Sequence, residues 1–265
     1  MERMEYEGFF VEKEGAIATL VLNRPERLNA LLPTLVLSFP RAIEDVRKDD
    51  DIRVLILTGA GRAFCAGGDV GTKGSGKTYQ ELSQRWSRFL IGPVAISLRN
   101  LEKPTIAAIN GAAVGAGVSL FLACDITIAS ENARFGLAFV KVGLVPDAGA
   151  TYFLPRKVGI SKAIELMCTG DMINAEEAGQ IGLVSRVVPQ DKLMEEVKEL
   201  AEKLAKGPPI AIGLIKRAAY KSLDNNLEQQ IDFEDYAQSL CFKTEDHKEG
   251  ARSFMEKREA VFKGT

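Results

Sequence analysis

Up to about residue 190 the apolar positions come in short runs separated by helical-period stretches, and beyond it the helical period takes over. Phe9 to Val11 and Ile17 to Leu22 flank the turn residues Glu14-Gly15 and predict a hairpin. Residues 34–48 carry a helical pattern in which Pro40 is expected to kink the chain. Ile52 to Leu57 and Thr105 to Ile109 are continuous apolar runs and predict buried strands. A Gly-rich loop follows the first, from Gly59 to Gly76, and the turn Asn110-Gly111 follows the second. Residues 77–100 include a long expected helix, and the small apolar residues 116–124 suit a buried one. Ile126 to Ala129, Arg134 to Leu137 and Leu183 to Val188 predict further strands, and Asn174 with Glu177 resembles a capping box that opens a helix at Ala175. Leu193, Val197, Leu200 and Leu204 share one helical face, and three more helices are expected over 208–222, 226–241 and 245–260. Alternating strands and helices followed by helices alone predict an α/β core, residues 1–195, with a helical C-terminal region, residues 196–265.

Composition narrows the chemistry. The 265 residues carry a formal net charge of -2, so the basic excess of a nucleic-acid binder is missing. The opening MERMEYEGFF has no apolar core, so no signal peptide is expected. The apolar stretch 105–129 is broken by Asn110, glycines and Asp125 and predicts no membrane span. Cys65, Cys124, Cys168 and Cys241 stand singly, which suits a reducing, cytoplasmic setting. With His247 as the one histidine, neither a metal site nor a Ser-His-Asp site is expected, and acid–base work falls to carboxylates. No bound cofactor is implied.

Two segments hold candidate chemistry. Ala63-Phe64-Cys65-Ala66-Gly67-Gly68-Asp69 follows a strand, and its glycines let backbone N–H groups approach a ligand. The GKT at residues 76–78 lacks the glycine spacing of a phosphate loop. The second segment, Asn110 to Ser119, ends a strand and opens a helix near Ala116, whose first N–H groups have no internal partner. On pattern alone, tight packing of a buried helix is the simpler reading of this segment. Taken together, the two segments offer two bare donors able to hold the oxyanion of a thioester enolate.

These motifs, with Leu22-Asn23-Arg24-Pro25, Asn29-Ala30-Leu31, Lys103-Pro104, Phe135-Gly136, Gly143-Leu144-Val145-Pro146 and Phe254-Met255-Glu256-Lys257-Arg258, resemble the crotonase, or enoyl-CoA hydratase/isomerase, superfamily over essentially the full length. The resemblance implies a spiral of ββα units, a helical C-terminal trimerisation region, and a homotrimer or dimer of trimers acting on an acyl-CoA. It assigns the oxyanion donors to the N–H groups of Gly68 and Ala116 and counts Ala66, Gly67, Asp69 and Val70 to the substrate-binding loop. Asp69 and Asp125 read more simply as loop anchors, and Cys65 as packing.

The sequence departs from the hydratases of this family. Their two water-activating glutamates fall at Ser119 and Phe139 here, and neither side chain replaces a carboxylate. Both are kept as substrate-binding candidates. The remaining acid is Asp147, in Gly-Leu-Val-Pro-Asp-Ala-Gly. By pattern alone it fits a helix N-cap. The resemblance reverses this, because similar segments occur in members like ring-1,2-epoxyphenylacetyl-CoA isomerase and some Δ3,Δ2-enoyl-CoA isomerases, where the aspartate is the acid/base. An acyl-CoA isomerase is therefore the leading expectation, with an enoyl-CoA hydratase and a non-catalytic acyl-CoA-binding subunit as alternatives. A dehalogenase with aspartate at this position also needs a histidine, and residues 77–100 contain none. For the coenzyme A phosphates the candidates are Arg24, Arg27 and Lys257, with Phe254 one turn before the lysine; solvated surface charge is an equal reading for the two arginines. Trp86 either lines the acyl pocket or packs its helix.

Overall fold

The computed structural model describes residues 2–69 and 86–265. Val70 and the GKT run therefore lie outside the described residues. Two sheets organise the chain. The larger has seven strands in the order β1-β2-β3-β4-β6-β8-β11, and the smaller four in the order β10-β9-β7-β5.

In the large sheet, β1 (Glu2–Tyr6), β2 (Phe9–Glu14) and β3 (Ile17–Leu22) form an antiparallel meander. Parallel pairing then carries the sheet through β4 (Val54–Gly59), β6 (Thr105–Ile109), β8 (Ile126–Ser130) and β11 (Arg186–Val188). The parallel strands are apolar on both faces because both faces are covered. Leu55, Leu57, Ala107, Ile109 and Ala129 point into the main core, while Val54, Ile56, Ile106, Ala108 and Ile128 meet a helix on the other side.

The main core is sealed by α1 (Pro33–Lys48), whose Leu35, Val36, Phe39, Ala42, Ile43 and Val46 are buried. Pro40 lies inside this helix. Its lost hydrogen bond costs about 3 kcal/mol, and six buried apolar side chains at roughly 1–3 kcal/mol each outweigh it. A π-helical turn, Trp86–Ile91, leads into α2 (Gly92–Asn100). The small sheet comprises β5 (Ala63–Cys65), β7 (Ala112–Val114), β9 (Arg134–Gly136) and β10 (Met172–Asn174). Two of these strands, β5 and β7, fall where the hydrophobic pattern predicts a loop and a turn, and β10 falls where it predicts no strand. Between and after them come α3 (Ala116–Leu122), α4 (Ala150–Val158), α5 (Ile160–Thr169) and α6 (Ala175–Gln180). The Asn174 side chain accepts the Glu177 N–H at the start of α6, as its spacing predicts.

Four helices close the chain: α7 (Leu193–Ala205), α8 (Pro209–Lys221), α9 (Leu227–Cys241) and α10 (Glu245–Glu256). The division expected at residues 195/196 falls inside α7. Leu193, Val197 and Ala201 of that helix pack on the second face of the large sheet. Among the described residues no helix is long and apolar enough to cross a membrane.

Candidate active site

The two glycine-rich segments meet because their strands are neighbours. β5 pairs with β7 in the small sheet, so the loop after β5 and the helix after β7 leave the same edge. The glycines that looked redundant in the sequence make this approach possible. A Cβ on Gly117 would stand 2.2 Å from the Cys65 carbonyl oxygen, and one on Gly111 would stand 2.1 Å from that of Arg62. A Cβ on Gly67 would lie 2.7 Å from the Val114 oxygen and 3.4 Å from the Ala116 nitrogen. The Gly67 backbone thus abuts the start of α3.

The direction of each donor follows from peptide planarity. In a trans peptide the C=O and the next N–H point in opposite directions. The Gly67 carbonyl accepts the Leu31 N–H at 2.7 Å, so the Gly68 N–H points away from Leu31. The Gly115 carbonyl accepts the Val118 N–H at 2.9 Å, inside the first turn of α3. The Ala116 N–H therefore points out of the helix N-terminus. Gly115 itself has φ 54 and ψ -122, a conformation open to glycine alone. Neither the Gly68 nor the Ala116 N–H meets an acceptor among the described residues.

The site continues from β9. The Gly115 N–H donates to the Gly136 carbonyl at 2.8 Å, tying β9 to the α3 entry. A 3-10 turn over Ala138–Val142 follows, with Phe139 as its buried residue. The Phe139 ring lies 3.9 Å from where a Gly115 Cβ would sit. The chain then runs through Val140, Val142, Leu144 and Val145, all exposed, to Asp147. The N-cap of α4 is Gly149, which has no side chain to cap with. This corrects the cap reading of Asp147, which stands two residues too early. Its main chain opens the turn, with the Asp147 carbonyl accepting the Ala150 N–H at 3.0 Å. One of its carboxylate oxygens is buried. The next residue, Ala148, is held at φ 50, a left-handed conformation that costs a non-glycine residue about 1–2 kcal/mol.

The other candidates separate. Ser119 is wholly buried in α3, and its hydroxyl has no hydrogen-bond partner among the described residues. Ala66 donates its N–H to the Leu28 carbonyl at 2.9 Å. Asp69 accepts from Arg24 at 3.1 Å with its side chain 6% exposed, as an anchor does. Arg27 approaches the same carboxylate only to 4.0 Å and stays largely in solvent. Phe254 and Lys257 are exposed at the end of α10, Lys257 in a left-handed C-cap at φ 54. Burial pushes the Cys65 thiol up to about 12, which leaves it a packing group. Asp125 is an anchor too. It accepts from the Thr105 N–H and hydroxyl at 2.7 and 2.9 Å and from Tyr220 at 2.6 Å, and it pairs with Lys216 at 2.8 Å. Its partners on α8, more than ninety residues away, carry no signal in the sequence around it.

Two N–H groups without an acceptor among the described residues, at the end of a small sheet, form an arrangement able to hold a developing oxyanion. The chain belongs to the enoyl-CoA hydratase/isomerase family, whose model matches residues 12–265. It is 40% identical over 263 residues to the 1,2-epoxyphenylacetyl-CoA isomerase of Escherichia coli (strain K12), covering 98% of this chain and 99% of that one. It is 39% identical over 260 residues to the crotonyl-CoA hydratase of Syntrophomonas wolfei, covering 98% and 99%. Among solved structures, an enoyl-CoA hydratase from Bacillus anthracis superposes with a TM-score of 0.92 at 36% identity, covering 97% of this chain and 100% of that one. The fold is the α/β crotonase fold with two mixed sheets and C-terminal helices, and the protein is an acyl-CoA enzyme, isomerase or hydratase.

Proposed function

We propose that this enzyme is an acyl-CoA isomerase in which Asp147 moves a proton along an acyl chain while the Gly68 and Ala116 N–H groups hold the thioester oxygen. Asp147 removes an α-proton from a β,γ-unsaturated thioester, and the C–H electrons pass into a dienolate whose charge rests on that oxygen. The acid so formed returns the proton at the γ-carbon, leaving an α,β-unsaturated product. One carboxylate closes the cycle.

The observation that carries this reading is the pattern of acids. Positions 119 and 139 hold serine and phenylalanine, which leaves Asp147 as the acid of the matching motifs, and it is followed by a left-handed alanine. Strained backbone beside a carboxylate is a mark of functional sites. The identity to an epoxyphenylacetyl-CoA isomerase supports the same reading, and unsaturated or epoxidised acyl groups are the substrate class it suggests. The nearly equal identity to a crotonyl-CoA hydratase keeps water addition as the second reading. Arg27, Lys257 and Phe254 are proposed to meet the nucleotide end of coenzyme A, and Phe139 the acyl end.

The test is an ultraviolet assay with a β,γ-unsaturated acyl-CoA, run beside hydration of crotonyl-CoA. The native enzyme is expected to form the conjugated thioester. Asp147→Asn is expected to lose about 10²- to 10⁴-fold in kcat, the span of a general acid–base group. Hydration without conjugation would overturn the isomerase reading.

A further inference from the structure

Gly67 and Gly68 stand side by side, and two glycines leave the peptide between them easy to rotate. A half-turn of that peptide would aim a carbonyl where the N–H belongs and present negative charge to an enolate. Something has to hold it. The loop from Arg24 to Leu31 does so with a short ladder. Ala66 donates to the Leu28 carbonyl at 2.9 Å, Leu31 donates to the Gly67 carbonyl at 2.7 Å, and Asp69 donates to the Leu31 carbonyl at 3.0 Å. Leu31 and Gly68 form a parallel bridge.

The ladder is itself a strained loop, with Leu28 at φ 51 and Asn29 at φ 58. Asn29 is 1% exposed. Its side-chain oxygen accepts the Arg24 N–H at 2.9 Å, and its amide donates to the Ala60 and Ala63 carbonyls at 2.9 and 2.8 Å. Arg24 joins the two ends. One guanidinium nitrogen donates to the Ala30 carbonyl at 2.6 Å and another to the Asp69 carboxylate at 3.1 Å. The side chains are 16% and 6% exposed. Its stem passes close to Gly8, where a Cβ would come within 3.1 Å of the arginine Cδ. A planar fork serves both acceptors at once, which a lysine ammonium does not.

We propose that Arg24 is a positioning residue: through Asp69 and the 24–31 loop it aims the Gly68 N–H at the substrate carbonyl, and it does not bind the coenzyme A phosphates. The two arginines that were equal in the sequence part company here, since Arg27 is only 4.0 Å from Asp69 and more than half exposed. The inference rests on the acyl-thioester reading above, and on neither isomerisation nor hydration in particular.

Two readouts separate aiming from phosphate binding. The first is the infrared carbonyl stretch of bound hexanoyl-CoA, isotopically labelled at its carbonyl carbon, which falls when the oxyanion donors polarise it. The second is turnover of paired acyl thioesters of coenzyme A and of pantetheine, the latter lacking the nucleotide. For Arg24→Met the expected result is hexanoyl-CoA affinity within about threefold of native, loss of most of the carbonyl shift, and kcat down about 10- to 100-fold on both thioesters, approaching the loss of one such donor. Arg24→Lys and Asp69→Asn are expected to fall between Arg24→Met and native, and they carry the test if Arg24→Met fails to fold. A retained shift and kcat, with KM raised for the coenzyme A thioester alone, would make Arg24 a phosphate ligand and overturn the proposal. No shift in the native enzyme would remove the acyl-thioester reading and this proposal together. A shift without double-bond migration would remove only the isomerase assignment.

Discussion

Gly67 and Gly68 are neighbours with opposite tolerance for a side chain. Gly67 sits at φ +89 with the Val114 oxygen 2.7 Å from any Cβ, whereas a Cβ on Gly68 would meet nothing within 4 Å. Gly67→Ala combines left-handed strain with a clash against backbone, and a loss of about 2–4 kcal/mol is expected. Gly68→Ala is expected to change stability by less than about 1 kcal/mol. Urea unfolding of both variants checks the pair, and equal midpoints would show that the loop does not hold the described conformation. In the sequence the two residues differ in nothing, because what distinguishes them is a carbonyl on another segment. Asp147 shows the same limit. Asp after Pro and before small residues fits an N-cap, yet Gly149 is the residue that opens α4.

The elements that were legible are those long enough to show a period or an uninterrupted apolar run. The hairpin β2–β3, the buried strands β4 and β6, and α7 to α10 all fall where the pattern puts them, within a few residues at their ends. Of the small sheet only β9 was legible. Three-residue strands such as Ala63–Cys65 and Ala112–Val114 have no period to detect, and the close approach of β5, β7 and α3 is carried by the glycines beside them, Gly67, Gly111 and Gly117. Long-range polar ties are hidden in the same way. Asp125 gathers Thr105, Lys216 and Tyr220 and so fastens α8 to the ends of β6 and α3. Removing Lys216, whose side chain is 6% exposed, leaves a largely buried carboxylate short of its counter-ion. Lys216→Met is expected to cost about 3 kcal/mol, and Tyr220→Phe about 1–2 kcal/mol. Burial and the nearby Asp125 push the Tyr220 hydroxyl well above the ordinary tyrosine range. The free phenol ionises at about 10. Above that pH the unfolded chain has given up a proton that the folded chain keeps, so stability falls as pH rises. Thermal unfolding between neutral pH and strongly alkaline pH should therefore steepen less for Tyr220→Phe than for the native enzyme. Parallel curves would detach Tyr220 from Asp125.

At the scale of the whole molecule, the C-terminal helices carry more exposed apolar surface than a lone subunit needs. Phe254, Met255, Leu227, Phe242 and Val261 are each at least 60% exposed. A groove lined by Pro208, Ile210, Ala211, Phe254 and Phe262 runs along the same region. The loop before Asp147 adds Val142, Leu144 and Val145, from 52% to 78% exposed. Apolar patches of this kind mark surfaces that other chains cover. A homotrimer or a dimer of trimers is the assembly the resemblance implies. Light scattering on the eluting protein is expected to give three or six times the 28.9 kDa chain mass. Paired charges are expected to decide between the two surfaces. Phe254→Asp loads the helical end, and Val145→Asp loads the loop that leads to the candidate acid/base. If the loop is covered, Val145→Asp should lower the mass and the turnover together, because a freed loop no longer fixes Asp147. If only the helical end is covered, Phe254→Asp should lower the mass and Val145→Asp should leave it unchanged. A native mass of one chain would mean that both patches face solvent in the working enzyme, and the site would then have to be complete within a single subunit.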